Sequence, residues 1–128
     1  MDGILKSSNG GKKMNLEKML MNCVVRHLTT RGGNKAVDQL VTSFKNEEGT
    51  RTELVKFQSY KSMILMINYK THTMTFGDDW DYSRTTSKYL HQFLLEELRL
   101  NLTTQEIRKA LETGKLETPH QIWTVKGE

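Results

Sequence analysis

Residues Arg51 to Phe76, RTELVKFQSYKSMILMINYKTHTMTF, carry the stretch that decides the fold. From Arg51 to Gln58 the pattern alternates, with Val55 and Phe57 on one face, as a half-buried strand requires. Ser62 to Tyr69 is apolar on both faces, the signature of a covered central strand. After the polar link Tyr69-Lys70-Thr71, the side chains of His72, Met74 and Phe76 alternate with Thr73 and Thr75, so a further strand follows, antiparallel to the last. Successive strands with short links specify an antiparallel sheet.

Upstream, Val37 to Phe44 fits two patterns. Val37, Leu40, Val41 and Phe44 follow a helix stripe, whereas Leu40, Thr42 and Phe44 alternate as a strand would. The turn-like Asn46-Glu47-Glu48-Gly49 before Arg51 favours a β-hairpin, and hence strand. Further back, Leu16, Met19, Leu20, Cys23, Val24, His27 and Leu28 recur at the spacing of one helix face and predict an N-terminal helix from Asn15. Thr29-Thr30-Arg31-Gly32-Gly33 ends it, since glycine accepts the left-handed conformation of helix stops. Met1 to Lys13 has no periodicity and reads as a mobile tail or an expression remnant before Met14.

Downstream, Gly77-Asp78-Asp79 closes the sheet and the period changes. Leu90, Phe93, Leu94 and Leu98 stripe a helix from about Arg84 to Leu100. In Thr103-Thr104-Gln105-Glu106 a Thr and a Glu three apart form a capping box for a third helix, which runs to Thr113 with Gly114 as its stop. Pro119 marks a bend before a short extended segment, Gln121 to Val125. The expectation is one α+β domain over residues 14–128: an antiparallel sheet of three to four strands packed with an N-terminal helix and two C-terminal helices. Met19, Met63, Met66 and Met74 read as core filler, because methionine fits irregular gaps.

Composition narrows the function classes. At 128 residues, with 36% apolar and 27% charged positions, the chain suits one modest core. Its longest apolar run, Met63 to Ile67, is far short of a membrane span, and no charged-then-apolar leader opens it; a cytoplasmic setting is expected. The single cysteine, Cys23, forms no internal disulfide, which agrees with a reducing compartment. The net charge is +4, but Met1 to Lys35 holds seven Lys and Arg against two acids, while the remainder holds twelve against thirteen. The excess basic charge therefore belongs to the N-terminal third.

Catalytic and metal-binding constellations are not seen, and no cofactor is expected. His27, His72, His91 and His120 lie far apart, none with a second His or Cys at ligand spacing. Cys23 on an apolar stripe behaves as a small apolar residue unless a base adjoins it. Gly32-Gly33 lacks the following Lys-Ser/Thr of a phosphate loop. Asp78, Asp79 and Asp81 are dense enough to attract a hard cation, yet lack the alternating ligands and closing glutamate of a calcium loop, so turn and cap duty is expected. Glu96 and Glu97 are adjacent and diverge on a helix, which makes a poor acid/base pair.

The start of the second helix, Trp80-Asp81-Tyr82-Ser83-Arg84-Thr85-Thr86-Ser87-Lys88-Tyr89, supports two readings. Structurally, Asp81 or Ser83 caps the helix while Trp80 and Tyr82 bury their rings against the sheet end. Functionally, Arg84, Lys88 and the hydroxyls form an anion-friendly patch suited to phosphate or a partner's carboxylates.

The stretch Phe57-Gln58-Ser59-Tyr60-Lys61-Ser62, followed some twenty residues on by W-D-Y-S-R-T-T-S-K-Y and Phe93-Leu94, is similar to a small domain of phages and mobile elements of Gram-positive bacteria. The resemblance covers about Ala36 to Leu95. It implies that Ala36 to Val41 is a strand, and it brings no catalytic residues. By analogy with phage accessory proteins, it implies a non-catalytic protein that binds and inhibits a host protein or ribonucleoprotein, with a CRISPR nuclease as the sharpest target. The expected contacts are Trp80, Asp81, Tyr82, Arg84 and Lys88, together with a basic loop region at Arg26, Arg31 and Lys35. The alternative is a nucleic-acid-binding regulator that uses the basic N-terminal third. Against it stand a near-neutral body and the lack of a helix-turn-helix or an aromatic RNA-binding signature.

Overall fold

The computed structural model describes residues 22–128. Its strands are β1 (Cys23–Thr29), β2 (Lys35–Lys45), β3 (Thr52–Ser59), β4 (Ser62–Asn68), β5 (Thr73–Phe76), β6 (Lys115–Glu117) and β7 (Ile122–Gly127). Two helices, α1 (Arg84–Leu98) and α2 (Thr104–Thr113), stand between β5 and β6. The strands form one seven-stranded sheet in the order β1-β2-β3-β4-β5-β7-β6. Every pairing is antiparallel except β5 with β7, which is parallel.

Register explains which side is covered, because directly paired residues share a face. One row runs Arg26–Val41–Phe57–Leu65–Phe76, and a second runs Val55–Ile67–Met74–Val125. The apolar members of both rows are at most 3% exposed. Phe57 stacks on Phe93 of α1 at 5.4 Å, and Arg26 reaches Glu96 of α1 at 3.1 Å, so this is the face the helix covers. The row Val25–Thr42–Lys56–Met66–Thr75 lies on the opposite face.

Three local features fix the elements between these rows. The β2–β3 turn is organised by Asn46, whose Oδ1 accepts from the backbone N–H groups of Thr50 and Arg51, with Gly49 at φ 75°. Gly77 ends β5 where a Cβ would sit 1.8 Å from the Met63 carbonyl oxygen, so only glycine allows the chain to pass. In α2 the Thr103–Glu106 capping box and the left-handed Gly114 are both present, as the sequence predicts.

The expected sheet of three to four antiparallel strands is too small, and the sheet is mixed rather than antiparallel throughout. Strand β6 has three residues and no period to read, while the parallel partnership of β7 is a long-range event that local alternation does not encode. Trp123 and Val125 of β7, 1% and 3% exposed, complete the core from the far end of the chain.

The N-terminal helix is also corrected over the described residues. Cys23 to Leu28 belong to β1, paired with β2; the part predicted from Asn15 to Met21 lies outside the described residues. Cys23, Val24, His27 and Leu28 fit a helix face by spacing, but Val24 and Val25 are β-branched and the segment pairs with a long strand.

Val37 to Phe44 is strand, and its double pattern has a cause. Between the pairs Thr29–Lys35 and His27–Leu40, β2 advances five residues while β1 advances two. The surplus is absorbed around Asp38, at φ 63°, which resets the alternation and produces helix-like spacing.

Just past this irregularity Gln39 pairs with Ser59 on the helix side and is 1% exposed, yet neither Nε2 nor Oε1 has a hydrogen-bond partner among the described residues. A buried unpaired amide is destabilising. Gln39→Leu should therefore raise stability by about 1 to 2 kcal/mol, read as a higher urea midpoint at unchanged slope; an equal or lower midpoint contradicts this account.

Tyr69, at the end of β4, packs edge-on to Trp123 and donates its hydroxyl to Glu97 Oε2 at 2.6 Å. Burial, then the hydrogen bond to Glu97 and its negative charge, push the phenol well above its ordinary value. A raised folded pKa means that the stabilisation is whole below the unfolded value of about 10 and is lost as pH rises past it. Alkaline titration should show one phenolate component appearing only together with loss of circular dichroism, and Tyr69→Phe should lack that component.

Candidate partner-binding surface

The start of α1 is pinned to the end of β3 by hydroxyls. Ser83 is the N-cap, at φ −147° and ψ 164°, and its Oγ accepts from the backbone N–H of Thr86 at 3.1 Å. Ser83 Oγ also lies 3.2 Å from Thr86 Oγ1, which is 3.1 Å from Ser59 Oγ. One residue further, the two-residue turn Tyr60-Lys61 leads into β4. Tyr60 holds φ 56° there, and its N–H donates to the carbonyl of Asp38 at 2.7 Å. The ends of β2, β3 and β4 and the N-terminus of α1 thus meet at one end of the sheet.

The two aromatic residues expected to bury beside this helix start behave differently. Trp80 is half-buried, edge-on to Phe76 at 5.8 Å, with the Arg108 guanidinium 5.9 Å above its ring. It is a wedge between β5 and α2. Tyr82 is 80% exposed, which corrects the expectation that its ring packs against the sheet end. Asp81 is ion-paired with Arg108, and Asp79 accepts from Ser62 Oγ at 2.9 Å, so these carboxylates serve the turn.

The open surface beside these two carboxylates, which line its clefts, is otherwise aromatic, hydroxylic and cationic. Tyr82 and Tyr60, the latter 54% exposed, flank a cleft of about 500 Å³ whose floor includes Ser59, Ile64 and Thr86. A neighbouring cleft of about 490 Å³ is lined by Tyr82, Ser83, Arg84, Ser87 and Lys88 together with Asp81, whose carboxylate is held by Arg108. Lys88 lies 5.1 Å over the Tyr89 ring, and Arg84 and Lys61 have no carboxylate partner among the described residues.

The basic region predicted in the N-terminal third divides. Arg31 and Lys35 are exposed around the β1–β2 turn, and because Gln39 of β2 pairs with Ser59, they stand at the same end as Tyr60 and Lys61. Arg26 does not join them. It is bound to Glu96, twelve residues along α1 from Arg84, about 18 Å at 1.5 Å per residue. Tyr60 and Lys61 had no predicted role. Their signal was a large aromatic in a two-residue turn, a place that exposes its side chains.

Among the described residues no three His, Cys, Asp or Glu side chains come together as a cation site. His27 is half-buried on β1 with Nδ1 3.4 Å from the Ala36 carbonyl. No helix among the described residues is long and apolar enough to cross a membrane. No family model, curated protein or solved structure matches the chain.

Proposed function

We propose that this protein is a non-catalytic accessory protein that holds an acidic surface of another macromolecule at this end of the sheet. The observation that carries the reading is the pairing of two solvent-exposed tyrosines, Tyr60 and Tyr82, with Lys61, Arg84 and Lys88 around two adjoining clefts. Tyrosine and arginine are the side chains that most often dominate protein interfaces, because they add large contact area at low entropic cost. Arg31 and Lys35 extend the same positive field and would speed encounter with an acidic partner.

The resemblance to phage and mobile-element domains supplies the partner class: a host protein or ribonucleoprotein, in its sharpest form a CRISPR nuclease that this protein inhibits. That step is an analogy. The same five cations suit a phosphate backbone, so nucleic-acid binding is the second reading. Salt separates the two, since phosphate neutralisation makes affinity fall steeply with ionic strength.

Tyr82→Ala combined with Arg84→Glu should leave circular dichroism unchanged, because neither side chain supports the fold. Capture of the partner from host lysate, or inhibition of target cleavage by a purified nuclease, should weaken by about 30-fold or more, as loss of two anchors worth about 1 to 2 kcal/mol each implies. Arg26→Ala, away from the cluster, should bind as the parent does. Undiminished capture by the double variant overturns the assignment. Trp80→Ala is unsuitable for this test, since it removes a wedge of the fold.

A further inference from the structure

Over the described residues the sheet has two unlike edges. At one, β6 is three residues long and carries Lys115 and Glu117, a short charged strand of the kind that resists further pairing. At the other, β1 runs for seven residues, CVVRHLT, without proline or lysine. Its single charge, Arg26, is directed onto the helix side and neutralised by Glu96. Val24 and Val25, on opposite faces of this strand, are 53% and 57% exposed.

The hydrogen bond from Lys45 N–H to the Asn22 carbonyl fixes the parity of this edge. Antiparallel pairs alternate between bonded and non-bonded positions, so Val24–Ser43 and Arg26–Val41 bond within the sheet. The N–H and C=O groups of Cys23, Val25 and His27 therefore point outward, and β1 has no neighbour on that side among the described residues.

We infer that β1 pairs antiparallel with β1 of a second copy, about a twofold axis through Val25, joining two sheets into one. The strand complements itself in this register. Val25 meets Val25 of the second copy, Cys23 meets His27, and Val24 meets Arg26, whose aliphatic stem covers the exposed valine. No two like charges face each other, and each outward donor finds an outward acceptor. An acidic strand would gain nothing from Arg26, which Glu96 already neutralises. Because the β6 edge is short and charged, association closes at two copies instead of growing into a fibre. This inference is independent of the surface at the sheet end and stands or falls separately.

The test uses the full chain in sedimentation and light scattering from micromolar to millimolar concentration, where a monomer–dimer equilibrium is expected. Val25→Pro removes an outward N–H while sparing the β1–β2 ladder, so it should stay folded and become monomeric; Val24→Pro removes an inward N–H and should impair folding. In a Cys23→Ser background, Val25→Cys should oxidise to a disulfide-linked dimer, since bonded pairs place Cα atoms about 5.5 Å apart, whereas Val24→Cys should not. A parent that stays monomeric to millimolar concentration, a Val25→Pro variant that still dimerises, or cross-linking at Val24 instead of Val25 overturns the inference. The cross-linking pair decides the matter even if the proline variant fails to fold.

Discussion

The parallel alignment of β7 beside β5 is the constraint from which the rest of the arrangement follows. Parallel neighbours cannot be joined by a tight turn, so the chain leaving β5 at Phe76 must travel back across the sheet before β7 begins. Helices α1 and α2, followed by the short β6, make up that connection, and the helices cover one face. The path also fixes where α1 starts. Since β4 is antiparallel to β5 and β3 to β4, the end of β5, the start of β4 and the end of β3 lie together. The N-terminus of α1 is delivered to the Tyr60-Lys61 turn by topology alone, and the Ser59–Thr86–Ser83 hydroxyls fasten it there.

Capping chemistry then decides which charges are left exposed. Orphan N–H groups at a helix start attract acids, and a first turn filled by Asp or Glu would have spent the positive end of α1 internally. Here a neutral serine caps, no acid stands in the first turn, and Asp79 and Asp81 are directed to Ser62 and Arg108. Arg84 and Lys88 consequently stand at the helix start with no carboxylate ion-paired to them among the described residues. The cationic surface is a product of which hydroxyls and carboxylates the turn consumes.

Much of the central architecture was legible because it is encoded locally. Strands β3, β4 and β5, the Asn46 turn, the Thr103–Glu106 box and the Gly114 stop each rest on residues within one element or one turn. What escaped was non-local. Cys23 to Thr29 is helix-like in spacing and becomes strand because Lys35 to Lys45 lies alongside; β7 looks like an isolated extended tail until Met74 and Phe76 are known to be its neighbours. Among residues of the candidate surface, the exposure of Arg84, Lys88, Arg31 and Lys35 was to be expected from their charge. The opposite fates of Trp80 and Tyr82 were not, because two aromatics two residues apart carry no mark of which one the Phe76–Arg108 pocket will take.

Backbone irregularities of the sheet gather at this same end. Among the described residues four non-glycine residues have positive φ. His72 lies in the β4–β5 turn and Arg99 at the helix C-cap, both ordinary places for it. The other two, Asp38 and Tyr60, are joined to each other by a hydrogen bond, and the unpaired buried amide of Gln39 lies next to Asp38. Each costs stability, on the order of 1 kcal/mol or more, and a glycine at position 60 would hold the turn with less strain while presenting no ring. Such departures from local ease concentrate where a surface is shaped for something other than folding. At this end they set a tyrosine in solvent beside a second tyrosine and cations that have no carboxylate partner among the described residues, an outcome that packing and capping alone do not require.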